Sequence, residues 1–214
     1  SIAIYRGTEM NNALYDKFIK GFLQSTKLIP DTPKCVTNIP NVCVQEATYV
    51  FDYTLPISDA DESYFIVYQR CCRNESITNI FNPGGVGATY SVELTHEAQL
   101  ANNNSPVYRN FPPIIICNNF ALDFDHSAID QDGDLLLYEF CAPFKGGGPI
   151  IQGPDLLSCD GAKPTPSCGP PFEDVVFISP TYSPGAPMGG NPLIAINQIS
   201  GLITGTPRLN GQYV

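Results

Sequence analysis

Three aspartates alternate around one glycine in AIDQDGDLLLYEFC, residues 128–141: Asp130, Asp132 and Asp134, with Gly133 between the last two. Carboxylates at this spacing are oxygen donors for a hard dication. Three of them crowded on one turn repel, and Ca2+ would relieve that repulsion. The spacing is not that of an EF-hand. Counted from Asp130, the sixth position is Leu135 and the twelfth Cys141, where that loop needs a glycine and a bidentate glutamate. Gly133 instead lies inside the acidic turn, where a positive φ would fold the carboxylates toward one another. The competing reading is a solvated acidic turn that leads into a strand. A metal held here would be structural, because metal-assisted hydrolysis needs an open coordination position and a base, and the neighbouring sequence suggests neither.

Eight cysteines form the second set: Cys35, Cys43, Cys71, Cys72, Cys117, Cys141, Cys159 and Cys168. They make no paired C-x-x-C knuckles, and His96 and His126 are the only histidines, so structural zinc is poorly supplied. Disulfides in an oxidising compartment are expected, which places the protein outside the cell or on its surface. Cys35 with Cys43 and Cys159 with Cys168 bracket short Pro-containing loops and could close locally. Cys117 precedes one apolar run and Cys141 ends the next, so they could meet across a hairpin. Cys71 and Cys72 are adjacent and would point to opposite faces of a strand, so separate partners are expected for them.

Other catalytic groupings are weak. There is no G-x-S-x-G elbow, and His126 and His96 read as members of polar turns, the latter in LTHEAQ. Glu93, Glu97, Asp123 and Asp125 could supply a carboxylate pair for glycoside hydrolysis, but an acidic β-protein offers such pairs by chance. NES at Asn74 and NNS at Asn103 match N-glycosylation acceptors. Tryptophan is absent, and 11 tyrosines are the available sugar-stacking rings.

The elements that must position these groups are strands. The 214 residues are 43 % hydrophobic and only 15 % charged, with 20 prolines and 18 glycines, a profile of short strands and many turns. The net charge of -10 argues against nucleic acid and anionic lipid and suits a protein that meets divalent cations. The first residues lack the basic and apolar regions of a leader, and no apolar run approaches the ~20 residues needed to cross a bilayer. Mature sequence from a longer exported chain is the expectation. Period-2 alternation marks EATYVFDYTL, ATYSVEL and FALDFD as strands, and SYFIVYQR is apolar on both faces, as a central strand would be. IIIC, LLLYEF, VVFIS and PLIAI complete the set, while NNALYDKFIKGFLQ fits a short helix or a strand. Residues 142–174 read as a long Pro/Gly-rich loop. NNNSPVYRNFPP is the best domain boundary, so the expected fold is all-β: two tandem Ig-like (cadherin-like) β-sandwiches with disulfide-stapled loops, residues 1–111 and 112–214.

YQRCCRN, TNIFNPGGVGATY, NNSPVYRNFPPIIIC and FDHSAIDQDGD together resemble a known type. The resemblance is carried by residues 70–74, 82–84, 87–90, 104–106, 111–113, Cys117, 124–128, Asp130 and 132–134, and it spans nearly the whole chain. It is to the large extracellular surface proteins of Bacteroidota known as gliding-motility-associated or adhesin-like, exported by the type IX route. The tail resembles the closing strands of Ig-like and cadherin-like domains at Gly201, Gly205, Thr206 and Pro207. The resemblance implies attachment, motility or appendage building rather than catalysis. One departure is the missing cysteine after Tyr5-Arg6, which relatives tend to carry. The expected function is a structural and adhesive module of a secreted surface protein or filament, with copies of itself as partners, Ca2+ as a structural ion and a glycan or cell-surface target. A glycan- or protein-binding module is the alternative, centred on the loop PFKGGGPIIQGPDLL, and a secreted hydrolase is a remote third.

Overall fold

A computed structural model describes residues 2–29, 44–57, 60–70, 73–146, 169–190 and 192–214. Within them the strands are β1 (Ile2–Gly7), β2 (Leu14–Ile19), β3 (Phe22–Leu28), β4 (Gln45–Val50), β5 (Ser63–Arg70), β6 (Ala88–Leu94), β7 (Val107–Tyr108), β8 (Leu122–Asp125), β9 (Ala128–Ile129), β10 (Ile194–Ile196) and β11 (Leu202–Gly205). One six-residue helix, α1 (His96–Ala101), joins them. The ladders between these strands are antiparallel, so the described residues are all-β with very little helix.

The largest sheet has the order β2-β1-β5-β6. β5 is apolar on both faces and rich in aromatic and β-branched residues, which explains its central place between β1 and β6. One face carries Ala3, Tyr5, Phe65 and Val67, packed with Ala13 and partly buried Met10 and Phe172. Ile4 and Tyr64, on the other face, are also buried, and the Tyr64 hydroxyl donates to the Pro56 carbonyl at 2.7 Å. β3 and β4 form a separate two-stranded ribbon, β7 pairs with β9, and β10-β11-β8 make a three-stranded sheet.

Several expected elements come out differently. NNALYDKFIKGFLQ is neither one helix nor one strand but β2 and β3, broken near Gly21, whose added Cβ would sit 3.4 Å from the Tyr49 Cβ. LTHEAQ is not a bend. The Thr95 hydroxyl caps α1 by accepting from the Ala98 N–H (3.1 Å), and Asn102 ends it at φ 51°. IIIC, LLLYEF and VVFIS join no ladder as strands. LLLYEF keeps an alternation, with Leu136, Tyr138 and Phe140 half-buried and Leu135 and Leu137 exposed. Its nearest backbone partner is irregular: the Tyr138 N–H donates to the Gln198 carbonyl at 3.0 Å.

Chain from both sides of the expected 111/112 division meets in one packing unit. Phe172 lies edge-on to Tyr5 (6.5 Å) and against Phe144 (5.8 Å). Thr89 on the β6 edge bridges to Phe144, which bridges on to Asp174. Arg73 donates to the Gly87 and Phe144 carbonyls, each at 3.0 Å. Burial holds its guanidinium below its usual pKa.

The hairpin pairing of Cys117 with Cys141 does not form. Cys141 is a free, exposed thiol and Cys117 is disulfide-bonded, so its partner is another cysteine. Without a β-ladder through LLLYEF, nothing brings the two ends of that supposed hairpin together. The other six cysteines expected as staples, Cys35, Cys43, Cys71, Cys72, Cys159 and Cys168, lie outside the described residues, as does most of PFKGGGPIIQGPDLL.

Candidate functional site

The acidic turn folds around the first of its aspartates. Asp130 Oδ1 accepts the N–H groups of Asp132 (2.9 Å) and Asp134 (3.1 Å), which wraps the turn on its own carboxylate. Gly133 takes φ +86°, the left-handed value the sequence called for, with no atom within 4 Å of where a Cβ would stand. The other two carboxylates face the segment that follows α1. Asp132 Oδ2 accepts the Asn104 N–H at 2.6 Å, and the Asn104 amide donates to both Asp132 oxygens at 3.2 Å. Asn103 Nδ2 donates to Asp134 Oδ2 at 3.0 Å. The turn is thus a polar clasp on residues 103–104, a contact that neither the linker-like composition nor the NNS match there indicates. A run of three asparagines is well supplied with amide donors for such a turn, and that was the available signal.

These contacts use carboxylate oxygens that a cation would otherwise take. Among the described residues, no three carboxylate, imidazole or thiol side chains stand close enough together to hold a metal ion. One feature still fits a hard cation: Asp130 Oδ2 is buried and has no hydrogen-bond partner. A carboxylate oxygen of this kind is a donor that calcium takes.

The remaining candidates are spread over the molecule. His126 stacks on Tyr108 (4.5 Å, 20°), and its Nδ1 is buried without a hydrogen-bond partner. His96 sits in α1 beside Glu97, whose carboxyl is held below its ordinary range by its own N–H and the Thr95 hydroxyl at the helix start. Glu93 accepts from the Ser63 hydroxyl at 2.7 Å on the large sheet, whereas Asp123 and Asp125 belong to β8 of the other. The Ser127 hydroxyl and N–H hold the Asp125 carboxyl low. Asn74 is exposed and takes the Ser76 N–H (3.1 Å) and hydroxyl (3.0 Å) on its side-chain oxygen. These side chains brace turns and caps.

Two surfaces stand out instead. Every residue of β3 is exposed, with Phe22 at 75 %, Leu23 at 55 % and Leu28 at 63 %, and Tyr49 on β4 is exposed too. Between this ribbon and the large sheet runs a groove of about 610 Å3, lined by Ile2, Gly21, Ala47, Tyr49, Tyr68 and Arg70. No family model, no curated protein and no solved structure matches this chain.

Proposed function

We propose that this chain is a structural and adhesive module of a large extracellular surface protein or appendage, of the gliding-motility and adhesin type, and not an enzyme. Its sheets would belong to Ig-like or cadherin-like units that attach a cell to surfaces or to other cells. The observation that carries this reading is the β3–β4 ribbon. A lone two-stranded ribbon is marginal in water, and this one leaves Phe22, Leu23, Leu28 and Val50 exposed. Contact with copies of the same chain would cover that surface and complete the ribbon.

Calcium has a structural place in this reading. Asp130, Asp132 and Asp134 would turn from their N–H and amide donors to the ion, with the Asn103 and Asn104 oxygens within reach of the same turn. The ion would then stiffen the junction between α1 and the turn. A ligand-binding role is favoured by one further observation, the tyrosine-lined groove.

The self-association reading is tested by sedimentation equilibrium of the oxidised chain over a wide concentration range, beside the double variant Phe22→Ser, Leu23→Glu. Concentration-dependent association that the variant weakens supports it. A wild-type chain that stays monomeric throughout removes it.

A further inference from the structure

The groove beneath the β3–β4 ribbon combines features that the clasp and the exposed ribbon do not explain. Tyr68 and Arg70 alternate along β5 and so share one face of the large sheet. Tyr90, opposite Tyr68 on β6, stacks on it with ring centroids 6.2 Å apart at 26°. Tyr49 lines the groove from β4, beside Gly21, whose missing side chain leaves room for the Tyr49 Cβ. The rings are substantially exposed: Tyr68 at 40 %, Tyr49 at 61 % and Tyr90 at 62 %.

The charge of the groove differs in sign from that of the whole chain. The chain carries a net charge of -10, yet no described residue lining the groove is acidic, and one is an arginine. The Arg70 guanidinium makes no ion pair with any described residue. An unpaired guanidinium presents a planar fork of donors that suits a carboxylate. Flat ring faces with hydroxyl rims suit the C–H faces and hydroxyls of a pyranose. The volume lies in the range of small-ligand sites.

We propose that this groove is a binding subsite for a carboxylate-bearing sugar, a hexuronic acid unit within a surface polysaccharide. Arg70 grips the carboxylate, and Tyr49 and Tyr68 sandwich the ring, with Tyr90 extending the platform to the next unit. The assignment rests on the adhesive reading and gives it a target chemistry.

The test is calorimetric titration of the oxidised chain with three probes of similar length: an oligogalacturonate, the same oligosaccharide fully methyl-esterified, and oligoglutamate. Saturable binding of the oligogalacturonate is expected, weakened roughly tenfold or more by esterification and by Arg70→Gln. Arg70→Lys should retain part of the affinity. Tyr49→Ala should weaken the acid and the ester alike, and Arg109→Gln, on the other sheet system, should change nothing. All of these residues are exposed, and an unchanged unfolding midpoint shows that the variants fold. Absence of binding, equal affinity for acid and ester, or indifference to Arg70→Gln overturns the proposal. Equal binding of oligoglutamate overturns the sugar assignment and makes the groove an acidic-peptide site. Failure here with self-association intact leaves the structural module standing, whereas sugar binding by a strict monomer removes self-association alone.

Discussion

Asn79 and Val214 hold one another reciprocally. The Val214 N–H donates to Asn79 Oδ1 at 3.1 Å, and Asn79 Nδ2 donates to the Val214 carbonyl at 2.8 Å. The asparagine side chain thus imitates a strand neighbour for the backbone at 214, and it also donates to the Pro187 carbonyl at 2.9 Å. Asn79 is fully buried, so water cannot replace these bonds. Asn79→Ala leaves several backbone groups unpaired and should cost about 2–4 kcal/mol. Urea unfolding measures it, and Asn79→Ser should recover only a small part, because the shorter side chain does not span both groups.

Two glycines with positive φ should respond differently to a methyl group. Gly133 (φ +86°) has open space around it, so Gly133→Ala carries only the conformational penalty, about 1–2 kcal/mol. Gly205 (φ +148°) would place a Cβ 2.1 Å from the Leu193 carbonyl oxygen, against the backbone of the paired strand. That clash cannot be relieved by a rotamer change, and Gly205→Ala should disrupt the β10–β11 ladder itself. Hydrogen exchange at Ile194–Ile196 and Leu202–Thr204 distinguishes them: protection is lost in Gly205→Ala and kept in Gly133→Ala.

The pH response has a definite sign. The Ser127 hydroxyl and N–H lower the Asp125 carboxyl, and its own N–H with the Thr95 hydroxyl lowers that of Glu97. A carboxyl with a depressed folded pKa contributes stability that is complete above its unfolded pKa and lost as pH falls through the folded one. The two turns they brace should therefore hold at neutral pH and loosen only in acid below the ordinary carboxylate range. Carboxyl 13C titration should put both midpoints below those of exposed aspartate and glutamate. Ser127→Ala should return Asp125 toward its ordinary value and leave Glu97 unmoved.

What was legible in the sequence was local. SYFIVYQR announced a central strand because both its faces are apolar, and Gly133 announced a positive φ because an acidic turn has no other way to close. What was hidden is contact between distant segments. Alternation put Tyr90 and Val92 on one face of β6, but it does not say whether anything covers that face, and both are exposed. Phe172 sits in a Pro/Gly-rich stretch that reads as loop, yet it packs on Tyr5 in the core of the first sheet. α1 is too short to display helical periodicity, and only Thr95 with Glu97 two residues on marked its start. The clasp joins side chains 28 and 31 positions apart, a distance at which no sequence pattern operates.

The acidic turn offers the most direct discrimination between its two roles. As a clasp alone, it holds residues 103–104 through Asp132 and Asp134 and needs no ion, and its exposed bonds add little to stability. With calcium, the buried and unpartnered Asp130 Oδ2 gains a partner, and the folded state is stabilised by mass action. A hundredfold excess of Ca2+ over its dissociation constant contributes about 2.7 kcal/mol, or a rise of roughly 5–10 °C in the unfolding midpoint for a chain of this size. Thermal unfolding of the oxidised chain in calcium and in chelator should show that rise. Asp132→Asn with Asp134→Asn should abolish it while shifting the chelator midpoint little, because an asparagine oxygen still accepts from Asn103 and Asn104. Equal midpoints in calcium and chelator would reduce the triple aspartate to a clasp, and rigidity at the end of α1 would then rest on its amide contacts alone.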